Sequence, residues 1–162
     1  MADGDPSFLE AATVYILSGQ YLCHECKLEG RVFGLMLSGP FSGSADCLDA
    51  IESDDDAPLL RRPLELPGKL EIKLVEMSAG HFRKDFSHTA GEHYWMNHCA
   101  QCDTKIGDWF VHKPGEAFFP TCDEELANVL GERISGPWKF NSPELSVSSW
   151  TEEWLYRHAQ EK

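Results

Sequence analysis

Apolar residues near the start of the chain form two dense runs, at residues 13–17 and 32–37. Short runs rich in β-branched and aliphatic side chains, bounded by turn residues, predict β-strands. Cys23 and Cys26 lie between the two runs. The pattern therefore predicts a β-hairpin over about residues 13–37, with the cysteine pair in a tight turn at its tip.

The same organisation recurs around a second pair, Cys99 and Cys102. Aromatic and apolar side chains precede this pair at residues 94–96, and a further apolar stretch follows it at residues 108–112. This order predicts a second hairpin over about residues 92–113. The two pairs are 73 positions apart, counted from the last cysteine of one to the first of the other.

The segment inserted between the hairpins, residues 38–91, opens with glycine, proline and serine and has no strong period in its first half. Residues 45–51 are compatible with a short helix. The acidic run at residues 54–56 predicts a solvated loop.

The second half of the insertion has a clearer pattern. Leu70, Ile72 and Leu74 alternate with charged residues, and this period of two predicts a half-buried strand over residues 70–77. Residues 78–93 carry glycines and three histidines, which favour a loop leading into the second hairpin.

The last third of the chain, residues 121–160, is predicted to be helical. Thr121 and Glu124 form a capping-box pattern, and Gly136 with Pro137 is expected to end the first helix. The apolar residues at helical spacing in this helix are Leu126, Val129, Leu130 and Ile134.

A second capping-box pattern, Ser149 with Glu152, precedes the C-terminal stretch. Trp150, Trp154 and His158 follow at a spacing of four residues and share one helical face. Aromatic residues at this spacing predict a helix whose tryptophans pack into the core.

Composition agrees with a folded chain of one domain, residues 1–162, because 42% of the residues are hydrophobic. The chain carries 14 basic and 27 acidic residues, for a net charge of −13. Such a charge repels nucleic-acid phosphates and anionic lipids, so direct nucleic-acid binding and membrane association are disfavoured. It suits a basic protein partner or mimicry of nucleic acid, although it also serves solubility alone.

The start of the chain, "MADGDPSFLE", carries acids and no basic segment of a secretory signal. No apolar stretch approaches the length that spans a bilayer, which is about 20 residues. The cytoplasm is therefore the expected compartment, and in reducing surroundings clustered cysteines are metal ligands more often than disulfides.

The two cysteine pairs together predict one metal site. Two residues between cysteines allow both sulfurs of a turn to reach the same ion, and zinc prefers four such ligands in a tetrahedron. We expect Cys23, Cys26, Cys99 and Cys102 to hold one structural zinc ion. Two other possibilities are that a neighbouring histidine replaces one ligand, or that the pairs perform thiol-redox chemistry. The histidines adjacent to the ligands are His24 and His98.

The fragments "YLCHEC" and "NHCAQCDTKIGDWFVHKPGEAFFP" resemble the zinc-ribbon class, in which cysteine knuckles on two hairpins share one zinc. More narrowly, they resemble a group of small bacterial proteins of uncharacterised function. The resemblance covers residues 13–37 and 92–120 and implies zinc-stapled β-hairpins. Together with the inserted segment and the C-terminal helices predicted from the pattern, the expected fold is an α+β architecture. Zinc knuckles often carry proline after the first cysteine and glycine after the second. The residues at those positions in this chain are His24, Lys27, Ala100 and Asp103.

Other residues form the basis of an alternative function, a hydrolase or thiol-redox enzyme. His81, His88 and His93 crowd one segment, near Asp85 and Glu92. Their spacing matches no zinc-peptidase or zinc-deaminase signature.

Two further cysteines, Cys122 and Cys47, lie outside the pairs. Cys122 is predicted at the first position of a helix, where the helix dipole favours a thiolate. Three acidic residues follow it and oppose that effect. Cys47 has no activating neighbour in the sequence.

A third alternative is a zinc ribbon that binds nucleic acid through a local basic patch. The candidate residues are Lys69, Lys73, Arg83, Lys84, Lys105 and Lys113. The negative net charge of the chain disfavours this alternative.

We expect instead an acidic zinc protein that acts by binding a protein partner rather than as an enzyme. An immunity-type protein, an inhibitor or a nucleic-acid mimic would fit this description.

Overall fold

The computed structural model describes residues 7–159. Residues 1–6, which entered the expectation about the compartment, and residue 160, the end of the predicted helical part, lie outside the described residues. The elements, in chain order, are β1 (Phe8–Leu22), β2 (Glu29–Gly43), α1 (Ala45–Asp49), β3 (Leu59–Arg61), α2 (Gly68–Ser78), β4 (Phe82–Ser87), β5 (Glu92–His98), β6 (Lys105–Ile106), α3 (Asp108–His112), α4 (Asp123–Ala127), β7 (Leu130–Asn141), β8 (Glu144–Ser146) and α5 (Ser149–Ala159).

The fold is α+β, as predicted, with antiparallel hairpins and several helices. In the described part of the chain the strands form two sheets, in the orders β7-β1-β2-β3-β8 and β4-β5-β6. Contacts divide these residues into two compact units. Unit 1 contains residues up to 15, residues 35–61 and residues from 133 onward, and unit 2 contains residues 16–34 and 62–132. The single-domain expectation stays a prediction.

In unit 1, strand β3 pairs antiparallel with β2 and with β8, so that Leu60 lies opposite both Leu35 and Leu145. Helix α5 buries Trp154 almost completely, and its ring meets Tyr15 edge to face at 5.4 Å. Trp150 is also buried. The predicted C-terminal helix and the core position of its tryptophans are therefore confirmed.

In unit 2, strands β4 and β5 pair antiparallel, from Phe82 opposite Asn97 to Ser87 opposite Glu92, and β6 adds a short third strand. The buried Asn97 side chain accepts a hydrogen bond from the Phe33 amide at 2.7 Å and donates one to the Phe33 carbonyl at 2.9 Å. This amide thus ties the second hairpin to the unit-2 part of strand β2. The prediction of a loop over residues 78–93 is wrong, because most of that segment is the β4–β5 hairpin.

The predicted strand over residues 70–77 is also wrong, since the segment forms helix α2. Leu70, Leu74 and Ser78 are buried, whereas Ile72 is 61% exposed. Burial at every fourth residue is the period of a helix, and Ala79 ends the helix in a left-handed conformation. The spacing of apolar residues in a segment this short fits both a strand and a helix. The tertiary contacts of the segment decide which of its residues are buried.

The helix predicted after residue 121 is a single short turn. Helix α4 ends at Ala127, and the chain then enters the edge strand β7. Val129 is buried and Leu130 is 52% exposed, so the four apolar residues do not share one helical face. The first capping box is also shifted, because Glu125, rather than Glu124, accepts hydrogen bonds from the amide and hydroxyl of Thr121.

Several smaller predictions can also be compared with the fold. The strands predicted at residues 13–17, 32–37 and 94–96 are confirmed within β1, β2 and β5, and helix α1 confirms the short helix. Residues 108–112 form helix α3 instead of a strand, so the return strand of the second hairpin is β6. Asp56, expected in a solvated loop, is buried.

Candidate metal centre

The first cysteine pair lies in a knuckle that follows strand β1. The Cys23 amide donates to the Leu28 carbonyl at 3.0 Å, and the Lys27 amide donates back to the Cys23 carbonyl at 3.0 Å. The Glu25 amide points at the Cys23 sulfur, with 3.4 Å between N and Sγ. Lys27 has a φ of 63°, a left-handed conformation that is uncommon for residues other than glycine.

The second knuckle repeats this geometry between β5 and β6. The Cys99 amide donates to the Thr104 carbonyl at 2.9 Å, and the Asp103 amide donates to the Cys99 carbonyl at 2.9 Å. The Gln101 amide lies 3.4 Å from the Cys99 sulfur, and Asp103 has a φ of 64°. The two turns therefore match bond for bond.

The four sulfurs meet at one point in unit 2. We call Cys23, Cys26, Cys99 and Cys102 the four-cysteine cluster; all its sulfurs lie within 4.8 Å of one another. Sγ of Cys23 is 3.7 Å from Sγ of Cys102, and Sγ of Cys26 is 3.6 Å from Sγ of Cys99. A tetrahedral ion with metal–sulfur bonds of about 2.3 Å has sulfurs about 3.8 Å apart. The cluster can therefore hold a metal ion without rebuilding of the backbone.

Neighbouring groups shift the pKa values of two thiols of the cluster in opposite directions. Hydrogen bonding from the Leu28 amide lowers the pKa of Cys26, but burial and the other three thiols raise it to about 12. Hydrogen bonds from the Thr104 hydroxyl and amide lower the pKa of Cys102 to about 6. Because a bound metal must replace the protons of these thiols, metal affinity should fall as the pH falls.

The histidines next to the ligands have other partners. The His98 ring is 1% exposed; its Nε2 lies 2.8 Å from Asp85 Oδ2 and its Nδ1 lies 3.2 Å from the His81 carbonyl. The His24 ring stacks on Phe110 at 4.3 Å. Neither belongs to the cluster that the described residues form, so the possibility of a histidine ligand gains no support.

Charged residues surround the second knuckle. The Arg83 guanidinium donates to both carboxylate oxygens of Asp103, at 2.9 and 3.0 Å, and this contact lowers the pKa of Asp103. The His98 hydrogen bond lowers the pKa of Asp85, whose other oxygen lies 3.7 Å from Lys105. These pairs anchor the turn that carries Cys99 and Cys102.

The other candidate residues do not converge on the cluster. His88 and His93 are exposed and flank the Phe86 ring, each at 5.0 Å, while the carbonyl of His81 faces His98. Cys122 is exposed at the residue preceding helix α4, not at its first position as predicted.

Cys47 is buried in helix α1 of unit 1.

Several of the candidate basic residues already have partners. Lys73 pairs with Glu132 at 3.1 Å, and the Lys113 ammonium lies 4.6 Å from the centre of the Trp109 ring. Lys73 and Lys113 are therefore already engaged by neighbouring side chains and are less available to bind a phosphate backbone.

Two contributors to the site were missed from the sequence. Thr104 caps the second knuckle and hydrogen-bonds the Cys102 sulfur at 3.1 Å. Asn97 holds the two hairpins together through strand β2. Thr104 could have been suspected from its place two residues after a ligand; Asn97 carries no sequence signal, because its partners lie 64 positions away.

No protein-family model, curated protein or solved structure matches this chain. None of the helices within residues 7–159 combines the length and apolarity needed to cross a membrane.

Proposed function

We propose that this protein is a zinc-stapled interaction protein that binds a basic protein partner through an acidic, aromatic-bearing surface of unit 1. The observation that supports the zinc part is that two matching knuckles, 73 positions apart, bring four cysteine sulfurs within 4.8 Å of one another. Four thiolates select zinc among the abundant divalent ions and leave no open position for water or substrate. The zinc would therefore be structural. Unpaired thiols in this arrangement suit the reducing cytoplasm.

Elemental mass spectrometry on protein purified under reducing conditions tests the zinc. We expect one zinc per chain, and its loss in Cys23→Ser and in Cys99→Ser. Cys122→Ser is the matched control, since that exposed thiol lies outside the cluster and should keep full zinc content. Wild-type protein that folds without any bound metal would contradict the proposal.

The acidic surface comprises Glu52, Asp54 and Asp55, in the segment between α1 and β3, together with Glu152 on helix α5, all of them exposed. No lysine or arginine occurs between residues 35 and 60. Hydrogen bonding to Asp56, burial and the charges of Asp56, Asp55 and Glu52 raise the pKa of Glu152, so the helix and the segment share one negative field.

An exposed aromatic ring adjoins this charge. Tyr156 is 66% exposed and follows Glu152 by one helical turn, whereas the opposite face of α5 is packed in the core. Concentrated charge steers a basic partner and increases its association rate, and an exposed tyrosine supplies contact area once the partner is bound. These features support a protein-binding role.

A charge-neutralised variant tests the surface. The variant replaces Glu52 and Glu152 with glutamine and Asp55 with asparagine. Its association with a fluorescent peptide rich in lysine and arginine is measured by stopped flow. At low salt, the association rate should be about tenfold lower than that of the wild type. The difference should shrink as salt is added.

The matched control removes the same number of charges from exposed sites of unit 2, by replacing Glu76, Glu92 and Glu124 with glutamine. We expect this control to slow association much less. Equal slowing in both variants would show that net charge alone attracts the peptide and would contradict a localised surface. Competition with duplex DNA for a purified natural partner would distinguish nucleic-acid mimicry from an immunity-type or inhibitor role.

A further inference from the structure

The four cysteines of the cluster differ in their exposure to solvent. Cys23 and Cys99 are 1% and 5% exposed, Cys26 is intermediate, and Cys102 is exposed. Cys102 is therefore the residue of the cluster that is most open to a small oxidant arriving from solvent. The sulfur of the buried Cys23, on the other knuckle, lies 3.7 Å from the Cys102 sulfur.

We propose that Cys102 is an oxidation site and that its oxidation by a peroxide ends in a disulfide with Cys23, with release of the bound metal. The inference builds on the proposed metal site and adds a redox response to it. Its distinctive claim is the pairing: the bond forms between the two knuckles and not within one.

The chemistry needs only hydrogen peroxide as oxidant. The Cys102 thiolate attacks one peroxide oxygen, the O–O bond breaks, and a sulfenic acid and hydroxide form. The Cys23 thiolate then attacks the sulfenic sulfur, the S–O bond breaks, and a second hydroxide leaves as the disulfide forms. Peroxide is reduced by two electrons, and the two thiolates together supply them.

Geometry favours this partner. Closing the 3.7 Å between the sulfurs to a disulfide of about 2.05 Å requires a movement of less than 2 Å. The Cys99 sulfur instead contacts Cys26 at 3.6 Å and accepts the Gln101 amide. A second disulfide, between Cys26 and Cys99, would follow by the same geometry. Both bonds join the knuckles, so the hairpins stay linked after the metal has left.

Peptide mapping after peroxide treatment of the zinc-loaded protein reads the pairing directly. Trypsin cuts after Lys27, Lys84 and Lys105, so each knuckle's two cysteines stay on one peptide. A disulfide between knuckles links the two peptides, and fragmentation identifies its cysteines. We expect the linked pair, with Cys23 joined to Cys102. Two unlinked peptides, each closed by its own internal disulfide, would overturn the proposal.

Metal release gives a second readout, followed with a chromogenic zinc chelator. Cys102→His keeps a zinc ligand but removes the exposed sulfur, and it should slow peroxide-driven release by about tenfold. Cys122→Ser should release zinc as fast as the wild type. An unchanged rate in Cys102→His would overturn the proposal.

A sulfenic-acid trap on the wild-type protein covers the case in which Cys102→His fails to fold. Early trapping at Cys102 is expected, and early trapping at Cys26 would count against the proposal. If the purified protein holds no zinc, the structural-zinc proposal fails. Peptide mapping of the metal-free protein still decides the pairing, so the two failures are distinguishable.

Discussion

Removal of the metal should destabilise the fold by an amount that follows from chain length. A bound ion links Cys26 to Cys99, which are 73 positions apart, and so closes a long loop in the unfolded chain. Treated as a cross-link, a loop of this length costs the unfolded state an entropy of about 15 cal/mol/K, or about 4.4 kcal/mol at 25 °C. A domain is stable by only about 5–15 kcal/mol, so metal removal should cost a large part of the total.

The assay is urea and thermal unfolding of zinc-loaded protein, with and without a chelator, in parallel with Cys99→Ser. For a chain of this size the loss corresponds to a fall in the unfolding midpoint of about 10–15 °C. Cys122→Ser should unfold like the wild type and respond fully to the chelator. A chelator effect below about 1 kcal/mol, with zinc demonstrably removed, would refute the cross-link reasoning, because the loop entropy would then not contribute.

Two further predictions test the fold and its pH dependence. Leu74→Ala should lower the free energy of unfolding by about 2–5 kcal/mol and Ile72→Ala by less than about 0.5, because α2 buries only the former; similar losses in urea unfolding would instead indicate a strand. The pKa of Glu152 is raised, chiefly through hydrogen bonding to Asp56, so its carboxylate costs stability as the pH rises through that pKa. Glu152→Gln should therefore raise the thermal midpoint above that of the wild type at pH 7. This advantage should be lost below about pH 4, the ordinary range for glutamate. If the variant and the wild type have the same midpoint at pH 7 as well as at low pH, the result counts against the shared negative field.

The knuckles show how much local sequence can establish. Two residues between cysteines, within strand-like surroundings, were enough to predict turns, and both turns adopt the same hydrogen-bonded conformation. Neither turn has the usual proline or glycine. Lys27 and Asp103 accept the left-handed backbone that glycine would adopt more easily, because the surrounding hydrogen bonds hold it.

The errors lie where a pattern was short or ambiguous. Residues 70–77 alternate in polarity and also repeat every four residues, so only the packing of Leu74 in unit 2 decides for a helix. Residues 130–135 were predicted to end a helix but belong to the edge strand β7, which runs over residues 130–141. There Gly136 approaches the Ala12 carbonyl so closely that an added Cβ would lie 2.9 Å from the oxygen. Such a contact depends on a strand more than 100 positions away.

Local sequence was sufficient to predict the class of fold, the four cysteines of the cluster, the C-terminal helix with its buried tryptophans, and the excess of acid. These properties are local, since residue spacing, turn chemistry and charge act over a few positions. Tertiary packing was needed to establish that Cys102 is exposed while Cys23, with its sulfur 3.7 Å away, is buried, and that Glu152 shares the field of Glu52 and Asp55. These relations join residues far apart in the chain, and the packing that brings them together leaves no periodic trace in the sequence.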